Sequence, residues 1–157
     1  ANRQTTSYTP HYFVAGIERP GWQRSLRDDI ATINAQPAAA QITLRAAPTA
    51  DGRLRIQAES SLQRGASPAS LYLGVTESGL VSKVTRGENA GSTLAHDHVL
   101  RELIGPVAFA AGAARSEREL VLPADWSRGN LAVVAFVQDD GNGRVLQAVS
   151  ARQCLTP

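Results

Sequence analysis

Apolar and polar residues alternate strictly over much of the chain after residue 40, and this period of two limits the fold more than any other feature. In residues 53–59, Leu54, Ile56 and Ala58 fall on one face, with charged or amide side chains between them. The same spacing recurs in three further segments: residues 41–46, 71–75 and 80–84. Because successive side chains of a strand point to opposite faces, each segment predicts a half-buried antiparallel β-strand.

The C-terminal third adds more strands. Residues 131–137 are almost continuously apolar, which is typical of a central strand. The sequence Asp-Asp-Gly-Asn-Gly at 139–143 predicts a hairpin turn, and residues 145–151 predict the returning strand. A short strand is also predicted at 119–122. Seven or eight short strands with turns between them predict a mainly β protein, an antiparallel β-sandwich of immunoglobulin-like size.

Residues 85–109 do not fit this pattern. The segment begins polar, is long, and is ambiguous between strand and helix. Loops of this length inside a compact domain usually serve a function. We therefore expect the segment to be a long, functional connection.

The first 37 residues form a separate unit in the sequence. Residues 12–15 predict a strand that ends at Gly16. An apolar stripe at helical spacing follows and stops at a proline; its members are Trp22, Leu26, Ile30 and Ile33. A strand and helix of this size are too small to fold alone. The sequence thus predicts two parts, residues 1–37 and a β-sandwich at 38–157.

Composition excludes several classes of function. The net charge is +2 and is spread evenly, without the basic cluster that a nucleic-acid-binding face needs. No apolar run approaches the roughly 20 residues of a membrane span. No nucleophile elbow, phosphate-binding glycine loop or other cofactor motif is present, so we expect no cofactor. Cys154 is the only cysteine, which excludes a Cys-X-X-Cys redox pair. It is either a small apolar or tail thiol, or a residue that bonds to a partner.

Two histidines give the strongest hint of chemistry. His96 and His98 are two residues apart, so on a strand both rings would point the same way, as two ligands of zinc or copper could. Glu88 or His11 would then be the third ligand. The competing interpretation, which we favour, is that one ring bonds the loop and the other is solvated, with no metal.

Glu88, Asn89 and Arg101 form a second candidate group. In the favoured interpretation Asn89 caps backbone groups of a turn, and Glu88 and Arg101 form a buried ion pair that pins the loop. The alternative is a ligand site built from Arg101 and the two histidines. In either case no nucleophile or acid–base pair is evident, and we expect no enzymatic activity from this chain by itself.

Three segments resemble one known family, in the same order. The first is Tyr-Thr-Pro-His at 8–11, followed by the apolar strand and Gly16. The second is Arg-Gly-Glu-Asn-Ala-Gly-Ser-Thr-Leu at 86–94 with His-Val-Leu-Arg at 98–101. The third is the Val-rich strand at 132–138 with Gln147 and Ala148 in the next strand. Together they resemble domain-of-unknown-function family 1223, secreted thioredoxin-like proteins with a C-terminal β-sandwich.

The resemblance implies a role for Thr9 and Pro10 as the cis-proline element at the end of a thioredoxin-like fold. Family members begin with an upstream half that carries a Cys-X-X-Cys pair, and this sequence has no such pair. The resemblance therefore implies a non-catalytic binding or scaffolding portion of a periplasmic or secreted protein. Its expected partner is the missing upstream half or another protein. The alternative is a self-sufficient module whose open strand edge is completed by a partner strand or by a second copy.

Overall fold

The computed structural model describes residues 11–19, 22–65 and 68–151. Thr9, Pro10 and Cys154 lie outside these residues. The described chain is mainly β, as predicted, and comprises eleven strands and one α-helix. The strands are β1 Phe13–Val14, β2 Ile17–Glu18, β3 Ala40–Pro48, β4 Leu54–Leu62, β5 Ala69–Glu77, β6 Leu80–Lys83, β7 Thr93–His96, β8 Val99–Ala108, β9 Ala113–Leu120, β10 Leu131–Asp139 and β11 Val145–Ala151. The helix is α1, Trp22–Asn34.

Seven strands form the two sheets of a sandwich. One sheet has the order β11-β10-β5-β8 and the other has the order β3-β4-β9, and all pairings are antiparallel. The two sheets bury one continuous apolar core. Its central side chains are no more than 1% exposed and come from β4, β5 and β10: Leu54, Ile56, Ala58, Leu71, Leu73, Val75, Val133, Ala135 and Val137. The alternation in the sequence correctly predicted the buried apolar faces of β4 and β5, and the apolar run at 131–137 correctly predicted the central strand β10.

Residues 85–109 are not the long connection that we expected. They contain β7 and all of β8, and β8 pairs with β5 as an outer strand of the larger sheet. The pairing contains two register irregularities, between Leu71 and Leu73 and between Val75 and Thr76. Such bulges break the period of two, because they shift the side chains that follow onto the other face. This is why β8 does not show a strand pattern in its sequence.

The strand predicted at 119–122 is the end of a longer one, β9. This strand pairs with β4 from Leu54↔Leu120 to Ser61↔Ala113. Its buried positions are occupied by Ala114 and Ser116, at 7% and 3% exposure. Because neither alanine nor serine is strongly hydrophobic, the sequence shows no clear alternation here. The hydrophobic pattern therefore predicted only the end of β9.

The N-terminal unit, which we define as β1, β2 and α1, rests on one end of the sandwich. β1 and β2 form a two-residue hairpin whose turn residues, Ala15 and Gly16, both have positive φ (49° and 78°). That combination is the type I′ turn that matches strand twist. A Cβ on Gly16 would lie 2.1 Å from the carbonyl oxygen of Gly143. Only glycine can therefore bring this turn against the β10–β11 hairpin.

Candidate functional site

The cluster around Arg101 is a buried ion pair, but its partner is not the one we expected. Arg101 Nε lies 2.9 Å from Oε2 of Glu77, whose side chain is 1% exposed. The two atoms form a close charge pair, although their geometry is not that of a regular hydrogen bond. The centroid of the Trp126 ring lies 5.1 Å from the Arg101 guanidinium carbon, and Oδ2 of Asp125 lies 3.4 Å from Nη2 of Arg101.

Glu77 also fixes the loop that precedes β10. Its Oε1 accepts a hydrogen bond of 2.7 Å from the main-chain N–H of Ser127. The pair thus ties the end of β5 and the start of β8 to residues 125–127. Its role in this arrangement is structural. The expected ion pair between Arg101 and Glu88 is wrong, because Glu88 lies exposed in the loop between β6 and β7.

That loop is closed by main-chain hydrogen bonds. Val84 N–H donates to Ser92, and Gly91 N–H donates to Val84, at 2.9 and 2.8 Å. Asn89 contributes its main-chain carbonyl, which accepts from Ser92 N–H at 3.0 Å. The segment of residues 86–94 is therefore largely the tip of the β6–β7 hairpin, and its polar side chains do not converge on the cluster around Arg101.

The two histidines do not share a strand face. His96 ends β7, whereas His98 follows it in a left-handed conformation with φ of 56°. Ser78 Oγ lies 3.1 Å from the main-chain nitrogen of His98 and 3.5 Å from its Nδ1. His11, the other candidate ligand, pairs with Glu18 at 2.9 Å. Within the described ranges, no three His, Cys, Asp or Glu side chains are placed to hold a metal ion.

A recess in the described structure lies where the N-terminal unit meets the sandwich. We call it the junction cleft; its volume is about 880 Å³. One wall is the end of α1 and the linker that follows it, including Pro37, Ala38 and Ala39. The opposite wall is the first half of β11, from Val145 to Ala148, and Ala15 also lines the cleft.

Direct hydrogen bonds hold the two walls together at one end. The carbonyl of Ala15 accepts from the N–H of Val145 at 2.8 Å. Beside it, the Arg144 guanidinium donates to the Gln36 carboxamide oxygen. The hairpin β1–β2 therefore occupies the first position along β11, and the cleft begins directly after it.

Sequence reasoning missed the junction cleft because its lining is dominated by small or uncharged residues with no catalytic signature. The available signal was indirect. β11 follows β10 through the hairpin turn at 139–143 and is terminal in the order β11-β10-β5-β8. An edge strand presents unpaired main-chain groups whatever its side chains are.

Residues 1–138 match a protein-family model described as protein of unknown function, DUF1223. The chain belongs to the DUF1223 family. Among curated proteins, none matches it. The recognition of this family from the three segments is thereby confirmed, whereas kinship with thioredoxin-like proteins stays a prediction.

Solved structures similar to this DUF1223 chain include HBP35 of Porphyromonas gingivalis, with a TM-score of 0.60 and 15% identity. The match covers 80% of this chain but 44% of HBP35, so the chain spans less than half of that protein. A domain of the outer membrane lipoprotein Omp28, also from Porphyromonas gingivalis, has a TM-score of 0.47 and 18% identity, covering 74% of this chain and 89% of that one. At this identity, the likeness to HBP35 supports the fold alone.

No helix in the described part of the chain is long and apolar enough to cross a membrane.

Proposed function

We propose that this chain is the binding or scaffolding part of a longer exported protein, joined through the N-terminal unit to an upstream thioredoxin-like half. In this proposal the division lies at residues 37 and 38, with the β-sandwich as the accessory module. Its periplasmic or secreted location and the role of Thr9 and Pro10 as a cis-proline element come from the family resemblance. The chain itself acts by binding, since its single cysteine cannot form a redox pair.

The observation that carries the proposal is the exposed apolar surface of the N-terminal unit. Tyr12, Phe13 and Ile30 are 37%, 40% and 43% exposed in a unit of little more than twenty residues. Meanwhile the hairpin is held firmly to the sandwich by Ala15 and Gly16. A unit that is anchored to the sandwich and also exposes apolar side chains is suited to connect two bodies.

The direct test is the intact mass and N-terminal sequence of the protein isolated from its own cells. A larger protein with an upstream Cys-X-X-Cys half is the expected result. A native protein that begins at Ala1 would remove the upstream half from the proposal.

A paired substitution tests the joint itself. In this chain Ile30→Glu should change the free energy of unfolding little, because an exposed side chain loses few contacts. In the longer native protein the same change should destabilise, since a charge would enter the interface. Thr32→Glu, on an exposed position of the same helix, is the matched control and should be mild in both proteins. Equal effects of Ile30→Glu in the two proteins would argue against the joint.

A further inference from the structure

We propose that the outer edge of β11, inside the junction cleft, is a binding site for an extended peptide segment of another protein, which would add to the larger sheet as a strand. The inference deepens the proposed binding role and rests on it, by naming the class of partner. It is carried by four observations: the direction of the Ala148 amide on β11, an existing contact on the same edge, the shape of the cleft beside it, and the contrast with β8.

The first observation is the direction of the Ala148 amide. Ala148 is opposite Phe136 in the β10–β11 register, yet its N–H donates to the side-chain oxygen of Gln147 at 2.9 Å. In an antiparallel pair, alternate residues turn their amides away from the partner strand. The Ala148 N–H therefore faces the outer edge, where the neighbouring side chain acts as a local cap.

The second observation is that this edge already forms a hydrogen bond with the main chain of another segment. At Val145, three residues earlier, the outward N–H donates to the carbonyl of Ala15. The register shift between Val137 and Gln138 accounts for a spacing of three instead of two. The β1–β2 hairpin thus shows that an incoming backbone can pair with this edge, and Ala148 offers the next donor.

The third observation is the shape of the space beside that donor. The cleft of about 880 Å³ is lined by Ala38 and Ala39 as well as by Ala148, so these three side chains are too small to fill the space beside the main chain. Strand addition needs this access, because main-chain hydrogen bonds supply most of the affinity and side-chain pockets supply the selectivity. Arg144 is the only charged residue among those that line the cleft, which favours a segment with a carboxylate near one end.

The fourth observation is the contrast with the opposite edge of the same sheet. β8 carries Pro106 and two register irregularities, devices that oppose pairing with another chain. The seven residues of β11 include no proline, and its one irregularity lies before Gln147. Of the two edges, β11 is the one suited to receive a strand.

The test uses the purified chain and random heptapeptides displayed on phage, followed by synthesis of an enriched peptide and measurement of its affinity. Ala148→Pro removes the outward N–H and leaves the bonds to β10 in place, since proline is tolerated where the amide faces outward. We expect this change to weaken binding at least about tenfold through the lost hydrogen bond and the clash of the ring with the added strand. Ala148→Thr, which keeps the N–H, is the matched control and should bind like the original chain.

Two further variants keep the test independent of the fold of Ala148→Pro. Ala38→Trp should fill the cleft from the linker side and abolish binding, while every residue of β11 stays unchanged. Gln147→Ala should remove the competing cap and tighten binding about two- to tenfold. Weaker binding of Gln147→Ala would contradict its role as a cap.

Three outcomes would overturn the site. One is the absence of any enriched peptide. Another is equal binding to Ala148→Pro and to the original chain, which would place the peptide elsewhere. The third is a concentration-dependent dimer abolished by Ala148→Pro, because the edge would then serve a second copy of the chain. None of these results bears on the joint at Ile30, so the two proposals fail separately.

Discussion

Replacing Arg101 by methionine should be one of the most destabilising changes outside the apolar core. The substitution keeps much of the length and apolar stem but removes the charge that faces Glu77. The Glu77 side chain is 1% exposed and Arg101 is 24% exposed, so the change leaves a buried carboxylate with one remaining partner, the N–H of Ser127.

The size of the expected loss in unfolding free energy follows from the unequal burial of the two charges. Removing one partner of a buried ion pair costs about 3–5 kcal/mol, mainly because the other charge stays buried. Since Arg101 is partly solvated, the lower end applies, about 3 kcal/mol, and this includes the lost contact with Trp126. With a urea m-value of about 2 kcal/mol/M, the midpoint should fall by about 1.5 M.

The assay is urea unfolding followed by circular dichroism, with two comparison variants. The double variant Arg101→Met with Glu77→Leu should recover most of the loss, because it removes the orphaned carboxylate as well. Arg55→Ala breaks the exposed pair with Glu119 and should leave the midpoint almost unchanged. A midpoint shift below about 0.5 M for Arg101→Met, or no recovery in the double variant, would refute this reasoning.

Three other predictions test the core, the attachment of the β1–β2 hairpin to the sandwich, and an exposed turn. Leu73→Ala should cost about 2–5 kcal/mol in the same unfolding assay, because Leu73 is 0% exposed, whereas Leu103→Ala at 52% exposure should be mild. Gly16→Ala should detach the hairpin from the sandwich, because its Cβ would meet a carbonyl oxygen at 2.1 Å, and faster amide hydrogen exchange at the start of β11 would reveal it. The Thr49 hydroxyl, by hydrogen bonding, lowers the pKa of Asp51, so Thr49→Val should raise that pKa in an NMR titration. Because the folded pKa is below the ordinary 3.8, this turn contributes stability above pH 3.8 and loses it as the pH falls through the folded pKa.

The sequence predicted the sandwich where side chains alternate between two environments. β4 buries every second residue, and the central strands β5 and β10 also carry buried apolar side chains at every second position, so hydrophobic spacing was sufficient for all three. Hydrophobic spacing was insufficient for β8, because its bulges change which face the following side chains point to. It was also insufficient for β9, whose inward positions are occupied by Ala114 and Ser116. Both failures come from sheet geometry that is set by partner strands.

The candidate site was less predictable for a different reason. Histidine, glutamate and arginine were candidate site residues because their side chains can bind ligands or catalyse reactions. Which of these side chains form ion pairs depends on how the loops that carry them are placed in the fold. Arg101 pairs with Glu77, which lies 24 residues earlier in the sequence and is not part of a recognisable motif. The junction cleft depends on main-chain groups of an edge strand, which every residue type carries, so no residue pattern could mark it.

We expect the two proposed binding surfaces to be coupled through the N-terminal unit. Ala15 and Gly16 place the hairpin on the first outward position of β11, one donor before Ala148. A body docked on Tyr12 and Phe13 would hold this hairpin, and thereby keep the linker wall of the cleft opposite β11. If so, Gly16→Ala should weaken the affinity of an enriched heptapeptide even though Gly16 makes no part of the strand-binding edge. If amide hydrogen exchange at Val145 increases but the affinity for the heptapeptide is unchanged, the edge of β11 binds peptides without help from the hairpin.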